Sequence, residues 1–409
     1  MTTLEHVSAM PAPTWHSLKM NDATIEIDEA LAPARDIAIE TDAELSGADA
    51  FDAALDAAQA DWDAEFGDTP VLANYEDEQA NRLGGLALSE YQKGVDAAEA
   101  SKSLRAMYEQ GMGEEAARWL AEMAGESRSL NVAAGQTRSA SVLVRGIDAS
   151  VNAAALDVIV GDRATLELAI TVDSPTAGNG ITGTTLRIFA GKDAHVTVRR
   201  VQTLDDSWTD LDDMGLFLSN GATIEIFQTV LGAGHTYTGL AGDLRGKGST
   251  ANVTTHYLGH GEQELDFNYV LRHHGRKTTC NLYANGVLAG ESSKVLRGTI
   301  DLIRGCKGAQ GQETDNVLLV DEAVKNKTVP TILCNEDDVA GNHGATIGHI
   351  REEQLFYLAS RGLSREDAEG MFVSASLEDA WLNAANEDAK QAIVRLGNTI
   401  VEDFEEAYL

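Results

Sequence analysis

A chain of 409 residues with 43% hydrophobic residues is long enough for two or three domains, or for one elongated domain with appendages. Its 65 acidic residues outnumber 31 basic ones, and the resulting formal charge of −34 repels phosphate backbones, so nucleic-acid binding is disfavoured unless basic side chains gather locally. No stretch reaches the roughly 18 apolar residues that span a bilayer, "MTTLEHVSAMPAP" lacks the parts of a signal peptide, and Cys280, Cys306 and Cys334 form no C-x-x-C pair, so a cytoplasmic protein without a disulfide framework is expected.

Three regions follow along the chain. Residues 1–130 are expected to be mostly helical and acidic. In "ADAFDAALDAAQADWDAEFGD" (48–68), Phe51, Leu55 and Trp62 recur at roughly helical spacing. "TPVLANYED" reads as a linker. From Glu76 to about Met123 the composition again favours helix, with a break at Gly84-Gly85.

Residues 131–348 change character. A pattern of small, polar, apolar, polar, apolar recurs as Ala140-x-Val142-x-Val144, Ala164-x-Leu166-x-Leu168, Ala194-x-Val196-x-Val198 and Ala222-x-Ile224-x-Ile226. It continues as Ala251-x-Val253-x-Thr255, Thr278-x-Cys280-x-Leu282 and Gly298-x-Ile300-x-Leu302, with steps of 24, 30, 28, 29, 27 and 20 residues. Each copy alternates like a half-buried strand and is flanked by Gly, Asn or Asp. A single coil cannot bury its apolar row, but stacked coils can, so a β-helix is favoured over a sandwich, whose hairpins recur every 8–12 residues.

Residues 349–409 are expected to return to helix. Ser364 and Asp367 in "LSREDAEGMFVSASLEDAW" form an S-x-x-D cap, and Ala368, Met371, Phe372 and Ala375 fall on one helical face. A last helix carries Ile393, Leu396, Ile400, Val401 and Phe404 at the same spacing. Gly362 caps the segment before Ser364.

Several stretches invite chemistry. "AGDLRGKGST" (241–250) departs from a phosphate loop, because Ala241 replaces its first glycine and Gly248 its hydroxyl residue, so it reads as a turn. "LRHHGRK" (271–277) is a short basic cluster that reads as a solvated turn. Cys280 fills an apolar slot, whereas Cys306 in "RGCKGAQG" lies beside two basic residues that would lower a thiol pKa. His256 with His260, and His273 with His274, have unremarkable spacing for strands or turns. No G-x-S-x-G or H-E-x-x-H occurs. In "EDDVAGNHGATIGHIREEQLFYLASRG" (336–362) the donors are denser. Cys334, Asp337, Asp338, His343 and His349 lie within sixteen residues, which suits either an iron or iron–sulfur site or a polar turn leading into a helix.

"HGATIGHIREEQLFYLASRGLSREDAEGMF" resembles the C-terminal signature of the SufB/SufD family of iron–sulfur cluster assembly proteins, through His343, Gly344, Ala345, Thr346, Gly348, Ile350, Glu353, Gln354, Phe356, Tyr357, Leu358, Ser360, Arg361 and Gly362. The H-G-A-T form is most like the SufD branch, and "PTWHSLKMND" is similar to the Trp-containing N-terminal segment of many SufD chains. The resemblance implies a mainly β protein, a right-handed parallel β-helix (131–348) flanked by helical regions (1–130 and 349–409). It implies a non-catalytic scaffold in a complex with a SufC ATPase and a SufB-like paralogue, or a second copy of itself in a minimal system. A transient iron–sulfur cluster would sit at the subunit interface, with no nucleotide on this chain. His343 would then face a SufB cysteine across the interface. Cys334 is a second candidate ligand, and Gly341 stands where some relatives carry a cysteine. Glu353, Gln354, Phe356, Tyr357, Arg361, Met371 and Phe372 would dock SufC. Two other readings stand beside this one: a carbohydrate-active β-helix enzyme using Asp162, Asp193 and Glu225, and a stand-alone metal-binding protein.

Overall fold

The computed structural model describes residues 1–14, 18–47, 50–66, 104–401 and 404–408. The expected linker and the Gly84-Gly85 break lie outside the described residues, as does the tryptophan of "PTWHSLKMND". Five strands come first: β1 (Thr2–Val7), β2 (Ala23–Ile27), β3 (Ala32–Ala34), β4 (Ile37–Thr41) and β5 (Glu44–Ser46). Helices α1 (Ala50–Phe66), α2 (Leu104–Met107) and α3 (Glu114–Ala124) follow. The opening of this region is therefore stranded where helix was expected. The reason is tertiary: β4 and β5 pair antiparallel with the first coil of the core and satisfy backbone groups that would otherwise be an open edge.

The core is a parallel β-solenoid of eight coils, each giving one strand to each of two sheets. The first four coils are β6 (Arg128–Val132) with β7 (Thr137–Arg145), β8 (Ser150–Val160) with β9 (Thr165–Asp173), β10 (Gly180–Ala190) with β11 (His195–Thr203), and β12 (Trp208–Leu218) with β13 (Thr223–Val230). The last four are β14 (His235–Leu244) with β15 (Thr250–Gly259), β16 (Glu264–His273) with β17 (Thr279–Leu288), β18 (Ser293–Leu302) with β19 (Gln310–Leu319), and β20 (Lys325–Cys334) with β21 (Ala340–His349). Among β6–β21, even-numbered strands form the first sheet and odd-numbered strands the second.

Thr137, Thr165, His195, Thr223, Thr250, Thr279, Gln310 and Ala340 occupy one register position, at steps of 27 to 31 residues. Leu166, Val196, Ile224, Val253, Leu282 and their neighbours stack inside the lumen with Leu186, Leu216, Leu271 and Ile300 from the first sheet. Each such side chain, fully buried, contributes about 1.5–3 kcal/mol.

The sequence repeat marks the second sheet, but three of its seven copies are displaced. Ala140 pairs with Leu168 rather than lying opposite Ala164, and Ala251 pairs with Ile224 rather than with Ala222. Gly298-x-Ile300-x-Leu302 belongs to β18 of the other sheet, which explains the short final step. The true seventh rung is Ala309-x-Gly311-x-Glu313, with a carboxyl in the apolar slot.

Two outer layers complete the molecule. Leu4, Val7, Ile25, Ile27, Met112 and Leu120 pack on the outside of the first sheet at Val151, Ile181 and Leu211. At the C-terminal end lie α4 (Glu352–Ser360), α5 (Arg365–Leu382), α6 (Glu387–Ile400) and α7 (Phe404–Tyr408). Leu377, Ile393, Leu396 and Phe404 pack against Val201, Leu231, Leu258 and Ala289 at the ends of the second sheet's coils. The expected cap on α5 forms, with the Asp367 N–H donating to Ser364 Oγ at 3.0 Å and the Ser364 N–H donating to the Asp367 carboxylate at 3.0 Å. Its buried face differs from the expected one. Ala368, Val373, Ser374, Leu377 and Ala380 face inward, while Met371 and Ala375 are exposed. No helix among the described residues is long and apolar enough to cross a membrane.

Candidate functional site at the open end of the solenoid

The two ends of the solenoid differ. The first coil is covered by β4 and β5, whereas among the described residues β20 and β21 are the terminal strands of their sheets. The side chains of β21 are exposed along nearly its whole length. The mouth of the lumen is therefore open to solvent.

His343 pairs with Glu313 on the preceding coil. Paired residues of parallel strands point to the same side, and the Glu313 side chain is buried in the lumen, so His343 belongs to the lumenal face of the open coil. Cys334 pairs with buried Leu302 and lies on the lumenal side of the same coil. Its thiol is exposed and donates to the Glu336 carbonyl at 3.3 Å. A Cβ at Gly341 would approach Ile332 Cγ2 to 3.0 Å, so a side chain at that position would also enter the mouth.

The other donors disperse. Asp337 and Asp338 lie in the exposed turn between β20 and β21, and His349 is exposed at the far end of β21. Glu336 accepts N–H groups from Gly305 at 2.8 Å and Asp337 at 3.0 Å. Against the upward pull of partial burial, those bonds and the Lys307 ammonium hold its pKa below the usual value. Among the described residues no group of three or more His, Cys, Asp or Glu side chains is placed to hold a metal ion.

One residue behind the mouth was missed by sequence reasoning. Glu313 is only 3% exposed, and neither carboxyl oxygen has a hydrogen-bond partner among the described residues. Burial, then the nearby Asp315 charge, pushes its pKa up to about 8 against the opposing pull of Lys294. Space for it comes from Gly298, where a Cβ would lie 2.2 Å from Glu313 Oε1. Beside it, Lys294 donates to Asp315 at 2.6 Å, and Thr328 donates to the same carboxylate at 2.6 Å. The displaced seventh repeat hid this carboxyl, since the correct rung shows it in an apolar slot.

The remaining candidates are structural. Cys280 lies 3.1 Å from His273 Nε2 in the lumen, and burial pushes the thiol up to about 12 and the imidazole down to about 4. Cys306 is fully buried and its thiol is likewise pushed up to about 12 by burial, the reverse of the expected lowering. His273 and His274 point to different environments, with His274 Nδ1 2.8 Å from Asp243. His256 lies on the outer face of the second sheet, while His260 contacts Gln263. Asp162 accepts the Lys192 N–H at 2.9 Å in a turn, Asp193 occupies the left-handed corner position that Arg163 holds one coil earlier, and Glu225 is exposed on the second sheet.

The residues expected to dock an ATPase divide by exposure. Phe356 is 77% exposed, Tyr357 56% and Met371 47%, an unusual display for large apolar side chains. Arg361 donates to the Tyr357 hydroxyl at 3.2 Å and lies over its ring. Glu353 is exposed, Gln354 caps α4 by accepting the Arg351 N–H at 3.0 Å, and Phe372 is half-buried.

The family model described as "SUF system FeS cluster assembly, SufBD core domain" matches residues 143–376, more than half of the chain. The chain belongs to the SufB/SufD family. It is similar to the iron–sulfur cluster assembly protein SufD of Bacillus subtilis, at 26% identity over 208 residues, 51% of this chain and 48% of the relative. The SufD of Escherichia coli is 27% identical over 186 residues, 45% and 44% of the two chains. A SufBD family protein of Synechocystis is 31% identical over 150 residues, 36% and 31% of the two chains. The matched segments thus span about half the length of the SufD relatives or less. The SufBD core runs from β7 into α5, so the open mouth and α4 both fall inside it.

Proposed function

We propose that this SufD-like chain is a non-catalytic scaffold subunit of an iron–sulfur cluster assembly complex. The observation that carries the proposal is the asymmetry of the solenoid: one end is sealed by antiparallel strands, and the other ends, among the described residues, in two unpaired edges beside His343 and Cys334. Open strand edges favour pairing with another chain. An imidazole and a thiol are suitable donors for iron or an iron–sulfur species, and two donors leave room for ligands from a partner. The cluster is cargo here, held while it forms and then passed on.

The partner at the mouth is a SufB-like paralogue, or a second copy of this chain in a minimal system. The exposed Phe356, Tyr357 and Met371 fit a second interface, for a SufC-like ATPase, with aromatic side chains as anchors. Nucleotide chemistry then belongs to the ATPase.

Anaerobic reconstitution with iron and sulfide tests the assignment, using the complex with a SufB-like subunit and a SufC-like ATPase. His343→Ala is expected to reduce cluster formation at least tenfold while the complex still co-purifies. Unchanged cluster formation would remove His343 from the site. Failure of the native chain to bind the ATPase with or without nucleotide would sink the scaffold reading.

A further inference from the structure

Three stretches that look unrelated in the sequence, "RGKG" (245–248), "HGRK" (274–277) and "RGCKG" (304–308), fold as the same corner on three successive coils. The Gly221 N–H donates to the Lys247 carbonyl at 3.0 Å, the Gly248 N–H to the Arg276 carbonyl at 2.9 Å, and the Lys277 N–H to the Lys307 carbonyl at 2.9 Å. These bonds place Lys247, Arg276 and Lys307 at equivalent backbone positions, one rung apart. Lys277 adds a fourth exposed cation at the left-handed corner position, with φ of 58°. Adjacent rungs are about 4.8 Å apart, so three of them span about 10 Å.

Like charges on neighbouring rungs repel, and the Glu336 carboxylate offsets this only at the Lys307 end of the ladder. Asp243, the nearest acid on the strands, is already engaged by Arg245 at 2.7 Å and His274 at 2.8 Å. Lys247, Arg276 and Lys277 make no ion pair among the described residues. In a chain of net charge −34, a ladder of stacked cations is the reverse of the general surface.

We infer that this corner is a docking ridge for a short acidic segment of a partner protein, laid along the solenoid axis. Length argues for a peptide over a nucleic acid. The ladder is bounded by uncharged Asn220 on one side and by Glu336, Asp337 and Asp338 of the last coil on the other. A phosphate backbone continuing past three rungs would run onto carboxylates, whereas an extended peptide, at about 3.4 Å per residue, covers the ladder with three or four residues. The ridge ends one rung before the turn between β20 and β21, where the Gly308 N–H donates to the Asp338 carbonyl at 2.6 Å, and the inference does not depend on cluster chemistry.

Fluorescence anisotropy with a labelled peptide of four alternating Asp and Glu residues flanked by glycines tests it, against a Ser/Gly peptide of the same length and a single-stranded DNA oligonucleotide of matched charge. The native chain is expected to bind the acidic peptide at least tenfold more tightly than Lys247→Gln/Arg276→Gln/Lys307→Gln, with weakening as salt rises. All three side chains are exposed, and matching thermal melts of the two proteins verify that the fold is kept. Equal binding by the variant overturns the inference, as does absence of binding to the acidic peptide. Binding of the oligonucleotide in preference to the peptide overturns it in favour of a nucleic-acid surface.

Discussion

At Asp213 burial decides the chemistry of a residue. It sits under the segment that joins α2 to α3, where its carboxyl accepts the Met112 N–H at 2.9 Å and the Gln110 side-chain amide at 2.7 Å. Burial pushes its pKa up to about 7 despite those donors. In the unfolded chain the carboxyl ionises near pH 4, so between about pH 4 and 7 the folded state holds a proton that the unfolded state releases. Stability contributed by this site therefore falls as pH rises through that window and levels off above it. Asp213→Asn removes the titration, and should gain on the order of 1–3 kcal/mol relative to the native chain between pH 5 and pH 8. Urea unfolding at both pH values measures the difference, and parallel stability profiles would contradict the assignment. Cys306 obeys the same rule. Its basic sequence neighbours suggested a reactive thiolate, but desolvation outweighs them, and nothing in a linear sequence reports that a turn is buried.

At the scale of elements, the lumen holds a charged crosslink. Arg200 of β11 donates to Asp210 of β12 at 2.7 Å and lies 3.2 Å from Asp212, and all three side chains are fully buried. Thr182, Thr184 and Gln228 donate to the same carboxylates. Arg200→Met would strand two buried charges and is expected to cost about 3–5 kcal/mol. Adding Asp210→Asn and Asp212→Asn to that variant should restore most of the loss. If the single and triple variants unfold at the same denaturant concentration, the ion cluster is not what links the two sheets. Such positions also show why the sequence disclosed one sheet and not the other. The strands of the second sheet alternate between a buried lumenal face and a partly exposed outer face, as in β13, so period two survives in the residues. β8, β10 and β12 are buried on both faces beneath the N-terminal layer, and their alternation vanishes. Phe356, Tyr357 and His343 were legible because they fall in a dense family signature. Glu313 and the basic corner were not, because each depends on the register of coils about 30 residues apart.

For the whole molecule, the unequal ends set a gradient of stability. Among the described residues, interior coils have a neighbour on both sides, the first coil has β4 and β5, and the last has a neighbour on one side only. Opening β20 and β21 exposes little core, because their outer surface is already in solvent. Local opening free energy follows such differences in burial and pairing. In the isolated chain, amides of residues 340–349 are therefore expected to exchange hydrogen at least about 100-fold faster than those of residues 223–230. The difference should shrink when a partner adds its own strand at the mouth, while docking of an ATPase should protect residues 352–371 instead. Hydrogen-exchange mass spectrometry of the chain alone, with a SufB-like subunit, and with a SufC-like ATPase separates the two interfaces. Protection of β21 by the ATPase but not by the paralogue would reverse their assignment. Equal protection of all eight coils in the isolated monomer would mean that the mouth is not open, and the scaffold proposal would lose the asymmetry on which it stands.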